Sequence, residues 1–319
     1  MANLHRAMIP RMPLHRTSGR ARLGLALALT TMLLWALLPI ALKALVADLD
    51  VFTLTWARFL ASALLLGAWL ALRRSAPPLA SLDARGAALL ATAAVFLAAN
   101  YGCFLVGLHW TSAADAGVLI QVGPILLSLG GIVVFREAFS RLQWWGLAVL
   151  AAGVLTFVGS RLGGPAAGAR LEAGLGMIGL AAVTWAVYGL AQKQLLHHWS
   201  SNHVLWCVYV GCALVFTPLA SPSALAPLDG VAWGLLVFCT LNTLVAYGCF
   251  AESLAHWEAS RVGAVLALTP LATLAIAAAI DAWAPGWGVG QALAWEGWLG
   301  AVLVVAGSLA ASLGARGAR

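Results

Sequence analysis

Ten runs of about twenty residues carry almost no charge and leave little chain between them. A helix needs about 20 apolar residues to cross the hydrocarbon core of a bilayer. Lipid offers the backbone no hydrogen-bond partner, so each run must satisfy its own amides as a helix. The runs fall at 23–43, 52–72, 87–108, 113–135, 142–160, 173–193, 203–220, 230–251, 260–282 and 296–315. Composition agrees: 62% of the 319 residues are hydrophobic and 9% are charged, against about 25% charged in soluble domains. A secreted globular protein, a disordered chain and a water-soluble enzyme are excluded. The fold class is an all-α polytopic membrane protein with ten transmembrane helices.

The chain repeats itself. Tyr101-Gly102-Cys103-Phe104 recurs as Tyr247-Gly248-Cys249-Phe250, and at the same offset of 146 Gly117 meets Gly263 and Pro124 meets Pro270. At an offset of 150, Trp35 meets Trp185, Lys43 meets Lys193 and Trp56 meets Trp206. Shared Trp, Tyr, Cys and Pro say more than shared Ala and Leu. The expected units are two five-helix repeats, 23–160 and 173–315, behind a basic tail over 1–22. Five is odd, so the second repeat enters the membrane in the opposite sense. Inverted repeats related by an axis in the membrane plane are a transporter architecture, because exchanging the two halves' conformations opens a central site to alternate sides.

Charge sets the expected orientation. With the N-terminus inside, 14 of the 18 Lys and Arg fall in cytoplasmic segments, while Lys43, Arg161 and Arg170 lie outside and Arg58 lies within span 2. Such a bias marks the cytoplasmic side. The expectation is a multi-pass protein of the cell inner (plasma) membrane with both termini cytoplasmic. The first apolar run is far longer than a signal-peptide core, so the tail should precede an uncleaved first helix, with an organellar presequence as the alternative. The net charge of +7 therefore needs no nucleic-acid partner.

Polar and aromatic residues within the spans are the candidates for chemistry. Pro124 and Pro270 sit mid-span at equivalent places and donate no N–H, which frees the carbonyls of Ile120 and Leu266. Freed carbonyls in hydrocarbon need protein or water, so the pair points to a central cavity. Gln121 and Thr269 lie beside them. Trp35 and Trp185 fall mid-span, away from the interfacial belt usual for Trp, where they stack on a solute or on the other half, or simply fill space. Tyr188, Asn100, Tyr101, Asn242 and Tyr247 add polar groups that should face the bundle interior. Arg58 is expected to snorkel or to pair with Asp48 or Asp50, with attraction of an anionic solute as the alternative.

Other patterns carry no site. Gly174-Leu175-Gly176-Met177-Ile178-Gly179 spells a dinucleotide fingerprint but follows no strand, so helix packing is expected instead. Gly146/Gly153 and Gly300/Gly307 suit close packing of spans 5 and 10, within the chain or in a homo-oligomer. The five cysteines lie in apolar runs without CxxC spacing, so neither a disulfide framework nor a metal site is expected. His197-His198 and His203 read as a solvated loop. No paired carboxylates, HExxH or GxSxG occur, and no motif asks for a cofactor.

Taken together, Leu34-Trp35 with Pro39 and Lys43, Trp56-Ala57-Arg58-Phe59, Asp115-Ala116-Gly117 through Pro124 to Phe135-Arg136-Glu137, Trp185, and Ser260 through Pro270 resemble the drug/metabolite transporter superfamily, EamA-like branch. The resemblance runs from about residue 22 to the end of the last span. One departure stands out: the family pattern puts a Glu thirteen residues after the second proline, and here Trp283 occupies that place. The resemblance implies export of small metabolites through a cavity lined by spans 1, 3, 4, 6, 8 and 9. The expected lining is Trp35, Asn100, Tyr101, Gln121, Pro124, Trp185, Tyr188, Asn242, Tyr247 and Pro270. With no paired deep charge, a neutral or zwitterionic, amino-acid-like or drug-like solute is expected. The partners are that solute and membrane lipid. The rival classes are a membrane enzyme on lipid-linked substrates and a passive channel or structural subunit. The orientation is testable: reporter fusions active only in the cytoplasm should light up at both termini, and an active periplasmic reporter at either end would contradict it.

Overall fold

The structure is a computed structural model that describes residues 18–79, 82–137, 139–163, 168–266, 268–283 and 295–314. The helices of the first half are α1 (Ala21–Leu45), α2 (Val51–Leu72), α3 (Ala84–Trp110), α4 (Ala113–Leu119), α5 (Val122–Phe135) and α6 (Arg141–Leu162). Those of the second half are α7 (Ala169–Leu195), α8 (Ser201–Phe216), α9 (Gly230–His256), α10 (Ala259–Leu266), α11 (Thr269–Trp283) and α12 (Trp295–Gly314). Among the described residues nine spans are long and apolar enough to cross a bilayer, and Trp295–Gly307 is a shorter apolar stretch. The Gly- and Trp-rich stretch 284–290 and the basic tail before residue 18 lie outside the described residues.

Spans 4 and 9 are each broken in two, where the sequence suggests one continuous helix. The first break falls at Ile120–Gln121, and the second lies between the end of α10 at Leu266 and the start of α11 at Thr269, just ahead of Pro124 and Pro270. A proline interior to a helix removes one donor and crowds the carbonyl four residues back. The chain relaxes this by ending one helix and starting another. Span 7 covers Ser201–Leu219: its α-helix stops at Phe216 and runs into a 3₁₀ turn at Thr217–Leu219, ahead of a second at Pro222–Leu225.

Helix starts are fixed by side chains. Asp50 accepts from the amides of Phe52 and Thr53, and Asp83 and Asp229, equivalent in the two halves, accept from Gly86 and Ala232. Ser112 with Asp115, and Ser140 with Gln143, form reciprocal capping boxes. Each cap supplies a partner to an amide that has none within its helix, worth about 1 kcal/mol.

The two halves interlock rather than sit side by side. The extensive helix contacts run between halves, and each has a counterpart when the halves are exchanged. Thus α3 packs on α7 as α9 packs on α1, α5 packs on α7 as α11 packs on α1, and α5 crosses α10 as α11 crosses α4. Helices α2 and α8, and α6 and α12, pair with their own counterparts. The alternation of spans is borne out by contacts at each end. At the face carrying the N-terminus, the Ser18 amide donates to the Ala255 carbonyl at the end of α9 (3.1 Å), and Ser75 meets His203 (2.9 Å). At the opposite face Trp56 donates to Thr217 (3.2 Å).

Apolar side chains gain nothing by leaving lipid for other apolar side chains, so close backbone approach has to supply the attraction between helices. The α6–α12 pair shows this. A Cβ on Gly146 would lie 2.3 Å from the Ala311 amide, and one on Gly153 would lie 2.7 Å from the Gly300 carbonyl. These glycines therefore join the two halves of one chain. The same holds at Gly174 of the decoy fingerprint, whose Cβ would meet Thr111 at 2.6 Å, whereas Gly176 and Gly179 face open space. Gly153→Val should lower the melting temperature of the detergent-solubilised protein, costing about 1–3 kcal/mol or more. Gly159→Val, on the same helix with nothing within 4 Å, should leave it unchanged. Equal effects at both positions would contradict the packing account.

Candidate functional site

A cavity of about 90 Å³ lies where the broken spans cross the core. It is walled by Trp35, Leu38, Pro39 and Leu42 of α1, Asn100, Tyr101 and Phe104 of α3, and Gly117 of α4. The break itself contributes Ile120 and Gln121, and Pro124, Trp185, Tyr247, Leu266 and Thr269 complete the wall. Seven of the ten residues expected from the sequence meet there: Trp35, Asn100, Tyr101, Gln121, Pro124, Trp185 and Tyr247. The lining from α1, α3 and α4 comes from the halves of those helices nearer the face opposite the N-terminus, so the cavity extends toward that face.

Three expected residues do not line it. Tyr188 is fully buried one layer behind, with its ring 5.9 Å from Tyr247 and 6.4 Å from Phe250. Asn242 turns away to donate to the Leu34 carbonyl (2.7 Å), tying α9 to α1 beneath Trp35. At the second break the wall is made by Leu266 and Thr269, on the approach to Pro270, and the proline ring itself is not part of it. Three apolar residues of the wall, Leu38, Leu42 and Phe104, had no polar signal to mark them in the sequence.

The breaks also correct the expectation of freed carbonyls. The Ile120 carbonyl accepts from the Gly123 amide (2.9 Å), and the Leu266 carbonyl accepts from the Thr269 hydroxyl (2.6 Å). Ser128 donates to the carbonyl of Pro124 (2.8 Å), where α10 passes so closely that a Cβ on Gly263 would lie 2.9 Å from that oxygen. Each break is thus satisfied locally, as hydrocarbon demands.

Toward the N-terminal face the cavity ends on packed rings. Trp35 meets Trp185 edge-on at 5.6 Å, Tyr247 at 5.2 Å and Phe250 at 5.4 Å, and Trp185 meets Phe250 at 5.2 Å. Trp35 and Trp185 are equivalent residues from opposite halves, so the contact lies across the pseudo-symmetry. Such aromatic pairs contribute about 0.5–1.5 kcal/mol beyond burial.

The two faces differ in charge. At the N-terminal face Lys193, 1% exposed, pairs with Glu137 at 2.9 Å. Arg136 at φ 54° ends α5 in the left-handed conformation and folds Glu137 back over its last turn. The carboxylate fills the space a Cβ on Gly131 would need. In the second half Ala277 stands at the place of Gly131 and Trp283, 92% exposed, at that of Glu137. The equivalent lysine, Lys43, has no such acid; it donates to the carbonyls of Leu108 (2.8 Å) and Thr111 (2.7 Å) at the end of α3. A cation at a helix C-terminus is favourable. Asp115 pairs with Arg161 at 2.6 Å on that same face, and Glu252 bonds Ser201 and His256 at the other.

Arg58 departs from both structural expectations. It is 0% exposed, so it does not snorkel. It pairs with neither Asp48 nor Asp50, and Asp50 is committed to the α2 cap. Its Nη2 donates to the Thr243 hydroxyl (2.5 Å), and its guanidinium carbon lies 5.1 Å from the centre of the Tyr101 ring. No cluster of three metal-ligating side chains occurs among the described residues.

Comparison with known proteins agrees with this architecture. The model of the EamA-like transporter family matches twice, over residues 22–159 and 172–313. An uncharacterized inner membrane transporter of Escherichia coli K12, YhbE, is 34% identical over 305 residues, covering 93% of each chain. An uncharacterized transporter of Haemophilus influenzae is 31% identical over 294 residues, covering 92% of this chain and 95% of its own. A Salmonella typhimurium protein named "probable amino-acid metabolite efflux pump" is 26% identical over 207 residues, covering 61% of this chain and 66% of its own. A solved crystal structure superposes with a TM-score of 0.69 over 92% of this chain and 97% of its own, at 19% identity, a likeness of fold.

The Lys193–Glu137 pair makes its own prediction. Removing one partner of a buried pair leaves a bare charge and costs about 3–5 kcal/mol. Glu137→Gln should therefore destabilise the protein strongly, and Glu137→Gln with Lys193→Met should recover most of the loss in a thermal melt. A double variant no more stable than the single would contradict the pairing.

Proposed function

Because the chain belongs to the EamA-like transporter family, we propose that this multi-pass inner-membrane transporter exports small amino-acid-like metabolites by alternating access around the central cavity. The observation that carries the reading is the placement of that cavity. It lies where the breaks of spans 4 and 9 meet the paired tryptophans Trp35 and Trp185. A site at the interface of inverted halves serves both states alike, because exchanging the halves' conformations returns the same walls. The name carried by the Salmonella relative supports an amino-acid metabolite as solute and efflux as direction.

The chemistry of the cavity suits the amino-acid-like class. Its walls offer aromatic faces for an apolar side chain and Asn100, Gln121 and Thr269 for polar groups. With both termini cytoplasmic, the cavity extends toward the outside. The aromatic layer and the Lys193–Glu137 pair then close the cytoplasmic side. To reload, α5 and α7 part at that pair while α11 closes on α1, the equivalent movement in the other half. With Trp283 at the place of Glu137, Lys43 has no counterpart of the Lys193–Glu137 pair among the described residues, which favours opening outward. The cavity wall offers no nucleophile paired with a base, so a hydrolase reading gains nothing from the geometry.

Purified protein in liposomes decides the matter. Flux of an amino-acid mixture should saturate and show counterflow, and Trp185→Ala should lower it by about tenfold through loss of a cavity wall. Linear flux without counterflow would favour a channel, and no flux of any solute would overturn the transport reading.

A further inference from the structure

We propose that Arg58 is the fixed positive charge of the solute site and selects solutes bearing a carboxylate. The proposal rests on the transport reading and narrows its neutral-or-zwitterionic class to solutes with an acidic end. An arginine inside a membrane protein stays charged and is costly there unless it is paired. Here Nη2 has Thr243, but Nε and Nη1 have no hydrogen-bond partner, and no carboxylate pairs with the group among the described residues. Buried polar atoms left unpaired need an explanation. Its guanidinium lies against the Tyr101 ring, with Tyr209 and Cys239 within electrostatic reach. A guanidinium this bare lacks one thing, an anion.

Its position tells where the anion comes from. The ring that Arg58 covers, Tyr101, is itself part of the cavity wall. Thr243, its one hydrogen-bond partner, lies on α9 one turn before Tyr247, another wall residue. One layer of side chain therefore separates the charge from the cavity, with little water to screen it. A field from an unscreened cation reaches across such a layer. A movement of Tyr101 would let a carboxylate bond the unpaired nitrogens directly, as charge-assisted hydrogen bonds favour. The residue equivalent to Arg58 in the second half is Val208, so the charge breaks the pseudo-symmetry. The solute would therefore sit with one polarity, acidic end toward α2 and apolar end on Trp35 and Trp185.

The test uses matched pairs that differ only at the acidic end. Liposomes holding the full-length protein are loaded with N-acetylphenylalanine and N-acetylphenylalaninamide, and with phenylalanine and phenylalaninamide; efflux is read by mass spectrometry against protein-free vesicles. The wild type should move each acid at least about tenfold faster than its amide. Arg58→Gln should abolish that preference, with the ratio of acid to amide flux falling at least about tenfold to near one, and Arg58→Lys should keep it. If Arg58→Gln fails to assemble, the wild-type pairs and Arg58→Lys decide. Equal flux of acids and amides in the wild type, or a preference surviving Arg58→Gln, would overturn the role of Arg58 and leave transport standing. If Arg58→Lys loses the preference with amide flux intact, charge is not the selector and the proposal is overturned. No flux of any probe by the wild type would count against the transport reading itself.

Discussion

Hydrocarbon gives an unpaired backbone group nothing to bond, and the centre of this protein is organised by that rule. Two prolines break two spans at equivalent depths. Each break could leave bare carbonyls, and each is closed by a neighbour: the Gly123 amide at Ile120, the Thr269 hydroxyl at Leu266, and the Ser128 hydroxyl at Pro124. The closures hold the broken ends in register, so that α5 can cross α10 with only Gly263 between them. That crossing makes room for the central cavity. Around it, glycines set α6 against α12 and α3 against α7 at backbone distance. The middle of the molecule is irregular because its edges are so closely fitted.

Departures from symmetry carry the chemical meaning. An inverted repeat by itself makes both faces and both halves alike. Charge is what differs: Glu137 has no counterpart, Lys43 and Lys193 take different partners, and Arg58 faces no matching charge in the second half. In the proposed cycle the first two differences bias which face closes. The third gives the centre a sign.

Much of this was legible in the residues. The apolar runs gave ten spans, and the matched Tyr-Gly-Cys-Phe segments and prolines gave two inverted halves. Trp35, Trp185 and the pair Gln121-Pro124 pointed to the cavity because large or polar groups mid-span have few other uses. What the sequence hid was local. A proline announces a disturbed helix, but whether it kinks or breaks depends on neighbours from other spans. Tyr188 and Asn242 are polar and central, yet their helix faces turn them into the layer behind. Leu38, Leu42 and Phe104 line the cavity and look like any lipid-facing residue. The state of Arg58 was hardest to see, since its burial follows from the packing of α2 against α8 and α9, which no pattern in α2 reveals.

The central claim is that the two faces open in turn about one site. It is tested most directly by measuring both faces at once with spin-label pairs, on a background without the native cysteines. Exposed positions suit this: Arg136 and His198 at the N-terminal face, and Ala47 and Trp283 at the other. As transported solute is added, one distance should lengthen as the other shortens, with two populations at each face. Distances that stay fixed under all conditions, or that change in the same sense, would contradict alternating access in this protein.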